Sequence, residues 1–367
     1  MESKRIEKII GIAEENMRKL KQGEFKVYFY ILDTKGNPSS ALEYIYRMAY
    51  LLDKKGYDVA MLHQEKEFIG VGGWMGEEYA SLTHMNIERE NVEISPCDFL
   101  FIPEIFTNVM IQTKNLKCKK VVIVSNYEHV ADFMPISATF GDMGIFDIIT
   151  NTETAARKIR ECFPDMNIRV VPPSISPIFR KREGPKKMVV NIISKKQENI
   201  NRVVKPFYWK FPQYKWVSFR DLRGMNMNDF ADTLADAAIT IWIDDETSFG
   251  YTLLESLRSG GITVAKVPDH PVEWMFGDGE LSDKILWFND IEKLPEIISS
   301  LVRSWTLDSI PAEMYEREAS FSTLYSEDSQ EKAVDDVYVG GLFKERYESF
   351  ERMKEEAMNN LDKIADA

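Results

Sequence analysis

Apolar positions in residues 3–21 recur near helical spacing, at Ile6, Ile9, Ile10, Ile12, Ala13 and Met17, among charged side chains. That pattern predicts an amphipathic helix, which Gly23 ends. Residues 26–32 (KVYFYIL) follow as an unbroken run of aromatic and β-branched residues, bounded by the turn-prone DTKGNPSS. Such a run predicts a strand buried on both faces. Ser39 or Ser40 caps a helix that runs to about Lys55, Gly56 closes it, and residues 57–62 supply a second strand. This strand-helix-strand opening is how a doubly wound sheet begins. Further strands are predicted at residues 98–102, 120–124, 145–150 and 168–171, each after a helix or turn, as crossover connections require. Residues 64–97 break the rhythm, and Gly70, Gly72, Gly73 and Gly76 predict irregular structure lining a cleft.

The proline-rich, basic stretch PPSISPIFRKREGPKK predicts a linker, placed at residues 173–187. Beyond it the alternation restarts. Strands are predicted at residues 189–193, 215–219, 239–243 and 262–267, and helices at 200–209, 227–235 and 251–259. Helical patterns return at residues 291–303 and 331–364. The expected fold class is therefore α/β, with two Rossmann-like domains facing across a cleft. Residues 1–172 form the first and residues 188–314 the second. Ligands of such folds bind outside the carboxyl ends of the strands.

Charge narrows the function. The chain has 46 basic and 59 acidic side chains, a net charge of −13, which repels nucleic acid because binding there rests on phosphate neutralisation. The longest apolar runs, such as residues 99–103 and 121–124, are strand-sized, so no transmembrane segment is expected. Residues 1–22 lack the apolar core of a secretory leader, and Cys97, Cys118 and Cys162 are odd in number and widely spaced. Both features lead us to expect a cytoplasmic protein. The four histidines have no zinc-site spacing.

Residues 239–267 (ITIWIDDETSFGYTLLESLRSGGITVAKV) carry the chemistry. They predict a strand, a polar loop, a helix, a double glycine and another strand. Gly250 lets the backbone approach a ligand closely, and the helix that follows offers N–H groups and its dipole to an anionic diphosphate. Glu255, about one turn on, is placed to accept hydrogen bonds from two ribose hydroxyls. The alternative for Glu255 is a solvated helix-face glutamate. Asp244, Asp245 and Glu246 raise magnesium as an alternative, but we expect no metal. Lys195 and Lys196 follow a strand directly, and one of them is expected at the phosphates, unless both are ordinary surface lysines. His129 follows a first-domain strand toward the cleft, fit for hydrogen-bonding a sugar or for acid/base work, with Asn126 or Tyr127 as alternatives at that position; the other reading is an ordinary satisfied or surface histidine. The Gly36–Asn37 turn either approaches donor or acceptor or is an ordinary turn.

The run SFGYTLLESLRSGGITV resembles the donor-site signature of GT-B glycosyltransferases, notably the retaining family four. The resemblance covers about residues 98–330 and is stronger in the second half. It implies that Glu255 binds the donor ribose and that Ser248, Phe249 and Gly250 contact sugar or phosphates. It also places Lys195 or Lys196, with Arg202 or Lys205, at the diphosphate, and Leu222 and Arg223 beside the base. The family's first glutamate stands eight residues before the second; this chain has Thr247 there, with Glu246 one residue early. We therefore name His129, Glu246 and Thr247 as the catalytic candidates. The resemblance further implies a terminal helix, in about residues 315–367, crossing back to the first domain. Its tail beyond Gly341 is long enough to add a homo-oligomer or partner contact. The function so implied is transfer of a sugar, with retention, from a UDP- or GDP-linked donor to an unidentified glycan, lipid or protein, with no separate cofactor. The alternative, motivated by Thr247, is a catalytically degenerate GT-B protein serving as a binding or structural module.

Overall fold

The computed structural model describes residues 2–244, 249–277, 279–309 and 325–365. After helix α1 (Glu2–Gln22), seven strands build the first sheet: β1 (Lys26–Tyr30), β2 (Asp58–His63), β3 (Thr83–Asn86), β4 (Phe99–Pro103), β5 (Lys119–Val124), β6 (Asp147–Thr150) and β7 (Asn167–Val170). Their spatial order is 3-2-1-4-5-6-7, and every pairing is parallel. The connections carry α2 (Ser40–Lys54), α3 (Glu77–Ala80), α4 (Thr107–Gln112), α5 (Tyr127–Phe133) and α6 (Glu153–Cys162). Central strands such as β4 are buried throughout, which is why they read as continuous apolar runs.

The second sheet comprises β8 (Lys187–Ser194), β9 (Ser218–Asp221), β10 (Ala237–Ile243), β11 (Ile262–Lys266) and, after a short hairpin of β12 (Phe276–Gly277) and β13 (Glu280–Leu281), β14 (Leu286–Phe288). Its order is 14-11-10-8-9, again all parallel. Its helices are α7 (Gln197–Lys210), α8 (Met227–Asp236), α9 (Tyr251–Arg258) and α10 (Leu294–Thr306).

Besides the short strands β12, β13 and β14, which the pattern does not predict, three details differ from the sequence expectations. Residues 64–97 hold α3 and the edge strand β3, whose four residues THMN form no apolar run because the strand is only partly buried. The strand expected at residues 215–219 begins at Ser218, since a 3₁₀ turn at Pro212–Tyr214 occupies the chain before it. Residues 173–187 are not a free linker. Ile175 and Phe179 are buried, Arg258 donates to the Ile175 carbonyl at 2.9 Å, and Lys186 donates to the carbonyls of Ala235 (2.8 Å) and Ser259 (2.6 Å).

The last described segment packs on the first sheet's side. It runs through α11 (Glu327–Val334), a π-helical stretch at Asp335–Phe343 and α12 (Lys344–Ala365). Tyr338 lies 5.1 Å from Phe101, ring to ring, and Phe343 meets Phe25 and Phe99 at 5.0 and 4.5 Å. Lys55 pairs with Glu331 (2.8 Å) and Asp335 (3.0 Å), and Arg169 reaches Glu345 at 2.6 Å. Gly340 and Gly341 lie within the π stretch, where a Cβ on Gly341 would stand 3.3 Å from the Asp336 carbonyl oxygen.

Candidate functional site

In a parallel sheet every crossover helix starts at the carboxyl end of the strand before it. The amino termini of α2, α5 and α6 therefore gather at one end of the first sheet, and those of α7 and α9 at the same end of the second. At α9 the N-cap is Gly250, with φ 80° and no side chain to cap the first turn. Trp274 fixes this turn by donating from Nε1 to the Phe249 carbonyl (2.7 Å), and Trp242 donates from Nε1 to the Thr252 hydroxyl (3.0 Å). Phe249 is 1% exposed, wedged between Tyr251 and Tyr325 at ring distances of 4.9 and 5.0 Å. Glu246, Thr247 and Ser248, with Asp245, lie outside the described residues.

Glu255 is 4% exposed and faces the charged pair Glu43 and Arg47 on α2 of the first domain. Burial pushes its carboxyl well above the usual carboxylate range. The nearby Glu43 charge adds to this, while Arg47 and Arg258 oppose it. Arg47 holds Glu43 at 3.0 Å, the Tyr79 hydroxyl at 3.2 Å and Glu327 at 3.4 Å. One turn before Glu255, the buried Tyr251 hydroxyl has no hydrogen-bond partner among the described residues. Sequence reasoning missed Glu43 and Arg47, although a charged i, i+4 pair inside the apolar run ALEYIYRMAY was the available signal.

Further contacts join the two halves. Glu273, from the second domain, accepts hydrogen bonds from the backbone N–H groups of Glu153 (2.9 Å) and Thr154 (3.2 Å) and from the Thr154 hydroxyl (2.8 Å). It thereby caps α6 in trans, beside the Thr152 side chain that accepts from Ala155 N–H. His270 lies 3.1 Å from Glu128, and its ring packs 5.6 Å from that of Tyr127. The Met227 N–H donates to the Trp74 carbonyl at 3.2 Å.

The remaining expected residues fall into three groups. His129 is exposed at 42% of its side chain, with Nδ1 3.5 Å from the buried Glu104. The hydrogen bond to Glu104 raises its pKa against the opposing effect of burial. Glu104 also accepts from the Ser125 hydroxyl and the Asn126 N–H, both at 2.8 Å, and was not foreseen from sequence. Asn126 caps α5, and Tyr127 lies under Lys158, whose Nζ is 3.9 Å from the ring centroid.

Lys195 is exposed and 3.3 Å from Asp244, and Lys196 is the N-cap of α7. Leu222 is buried, with its N–H donating to the Ile192 carbonyl at 3.3 Å. Arg223 is held by Asp221 (3.0 Å) and by Gln197, which settles its guanidinium at the α7–β9 edge. Arg202 pairs with Glu292 at 2.7 Å. Gly36 has φ 78°, and Asn37 is folded onto Thr34 by a 2.8 Å bond from its amide to the Thr34 carbonyl. The buried Asp33 accepts from the N–H groups of Lys35 (2.9 Å), Ile69 (3.0 Å) and Gly70 (3.3 Å), which ties this turn to the glycine-rich loop.

Two parallel α/β sheets, each presenting helix N-termini at its carboxyl ends, with the last helices on the first sheet, define the GT-B fold. Solved structures agree. Anabaena HepE, in complex with UDP-glucose, aligns over 86% of this chain and 99% of its own, with a TM-score of 0.57 at 10% identity. The pneumococcal O-GlcNAc transferase GtfA, in complex with UDP and GlcNAc, aligns over 91% of this chain and 99% of its own, with a TM-score of 0.52 at 10% identity. A chain of a GtfA/B complex matches over 69% of this chain at 17% identity and a TM-score of 0.45, and this chain spans 58% of its length. The TM-scores above 0.5, those of HepE and the O-GlcNAc transferase, show the shared fold alone at identities this low. No protein-family model and no curated protein sequence matches the chain. Among the described residues, no helix is long and apolar enough to cross a membrane.

Proposed function

We propose that the chain is a glycosyltransferase that draws its sugar from a nucleoside diphosphate donor bound where α9 begins. The supporting observation is the start of α9 at the left-handed Gly250, with Glu255 one turn further on, at the carboxyl end of a parallel sheet in a GT-B frame. The α9 N–H groups and Lys195 or Lys196 offset the diphosphate charge in place of a metal. Glu255 accepts from the ribose hydroxyls, and Leu222 and Arg223 flank the base. His129 is the group for the transferred sugar, where the Glu104-backed imidazole serves as hydrogen-bond donor or acid, and Glu246 and Thr247 are the other catalytic candidates. UDP-linked donors are the first candidates because HepE and GtfA were solved with UDP-glucose and with UDP.

This assignment carries a conformational requirement. A Glu255 carboxylate 4% exposed against α2 does not meet a ribose until α9 moves away from Glu43 and Arg47. Donor entry is then coupled to release of Glu273 from α6 and of His270 from Glu128. The test is a thermal-shift series with UDP, GDP, ADP and their sugar conjugates, with and without magnesium. Ligand that binds the native state raises the melting temperature by mass action. A magnesium-independent rise with one nucleotide family is the expected result. A flat response to all of them at millimolar ligand defeats the proposal.

A further inference from the structure

Helices α1 and α12 form an antiparallel pair. Glu14 meets Lys354 at 2.8 Å, and the Lys21 ammonium lies 5.7 Å from the Tyr347 ring centroid, so their numbers run in opposite directions at constant sum. The main partner of α1 is α12. The pair is anchored on the first domain at its root, by Phe25 and Phe343, by Arg169 on Glu345 and by Arg346 donating to the carbonyls of Pro96 and Lys117. At about 1.5 Å per residue, each helix reaches roughly 30 Å, and residues 3–12 and 355–364 make up the far end.

That far end has an incomplete core. Ala13 and Ala357 are buried in the seam, but Ile12 is 39% exposed, Met358 47% and Ile364 42%, and Ile6, Ile9, Ile10 and Leu361 are only partly covered. A two-helix pair buries one stripe on each helix and leaves a second uncovered, which four helices cover.

The charges select the occupant. Residues 3–12 carry Lys4, Arg5 and Lys8 against one acid, Glu7. Residues 355–364 carry Glu355, Glu356 and Asp362 against one cation, Lys363. Among the described residues, no ion pair joins Lys4, Arg5 or Lys8 to Glu355, Glu356 or Asp362, whereas the root is pinned by Glu14–Lys354. A basic helix beside an acidic one is self-complementary under a two-fold axis, where each α1 meets the other copy's α12. A membrane surface would instead favour a uniformly basic face.

We propose that the α1–α12 pair is the dimer interface of this protein, closing with a second copy into a four-helix bundle. The far ends are about 15–20 Å long and two helices wide, at the small end of specific interfaces, so association in the micromolar range is expected.

The test is sedimentation velocity of the full chain over a concentration series, with two charge-reversed variants. One carries Lys4→Glu and Lys8→Glu, and the other Glu355→Lys and Asp362→Lys. Wild-type protein should pass from monomer to dimer as concentration rises. Each variant alone should self-associate at least tenfold more weakly, and an equimolar mixture should recover dimer, because the mixture restores both opposite-sign contacts. Ile12→Glu with Met358→Glu should stay monomeric with an unchanged far-UV spectrum and nucleotide response. Wild-type protein monomeric at roughly 200 μM, variants that dimerise like wild type, or a mixture without recovery overturns the proposal. So does a monomer that floats with vesicles of anionic phospholipid, which would make the same face a membrane contact.

Discussion

Replacing Glu273 with alanine removes the carboxylate that caps α6 across the cleft. Three hydrogen bonds are lost, two of them from backbone N–H groups. Glu273 is exposed, so water replaces part of the interaction, and the Thr152 cap remains. An anion at an exposed helix N-terminus contributes about 0.3–1 kcal/mol, and net hydrogen bonds about 0.5–1.5 kcal/mol each without full additivity. A total of about 1–2 kcal/mol is a reasonable magnitude for the clamp. At 1.4 kcal/mol per factor of ten, that shifts the closed–open balance about 5- to 30-fold toward open. If donor binding needs the open form, apparent affinity rises by up to the same factor. Titration calorimetry with UDP measures the affinity, and small-angle scattering of the free protein measures the opening. Glu273→Gln, which keeps an acceptor but loses the charge, should fall between wild type and alanine. A Glu273→Ala protein with wild-type or weaker UDP affinity, despite an increased radius of gyration, refutes the coupling. One with an unchanged radius refutes the clamp.

Glu255 has a folded pKa raised above its unfolded value, so its contribution to stability is present below the ordinary carboxylate range and is lost as pH climbs toward the folded value. Glu255→Gln should match wild type near pH 4 and melt higher at pH 7–8, at about 2–4 °C per kcal/mol; equal melting temperatures at both pH values would refute the buried-acid assignment. Gly250→Ala puts a Cβ on a residue at φ 80° and should cost about 1 kcal/mol in urea denaturation, along with nucleotide affinity; a neutral effect on both removes the strained turn from the site. In Glu104→Gln the His129 imidazole should titrate at lower pH than in wild type by NMR, because the bond that raises it loses its charge; an unshifted titration would mean that Glu104 does not control it.

The alternation of apolar runs and amphipathic segments made both sheets legible, because strands buried on both faces write themselves as continuous apolar stretches. It failed at β3 and β14, edge strands of four and three residues whose side chains are only partly enclosed. It also missed the β12–β13 hairpin, two residues to a strand. The loop–helix unit around Phe249 and Gly250 was legible because a glycine ahead of an apolar helix marks a backbone need. Its surroundings were not. Glu273 caps a helix that begins 120 residues earlier, and the charges of Glu43 and Arg47 act on Glu255 from the other domain. Such pairings depend on how two domains close, which local spacing does not record. Glu104 was hidden for a similar reason, since it supports His129 from the neighbouring strand's end, 25 positions away.

The placement of residues 325–365 has a consequence for how the chain is made. The second sheet is continuous in sequence, from Lys187 to Phe288. Its core is completed by α10, which ends at Thr306, so during synthesis it can close before residues 325–365 emerge. The first sheet emerges earlier but waits longer. Phe25 and Phe99 have Phe343 as a covering ring, and α1 has α12 as its main partner. Until the ribosome has delivered residues 325–365, those apolar surfaces of the first sheet stay open to chaperones and to wrong partners.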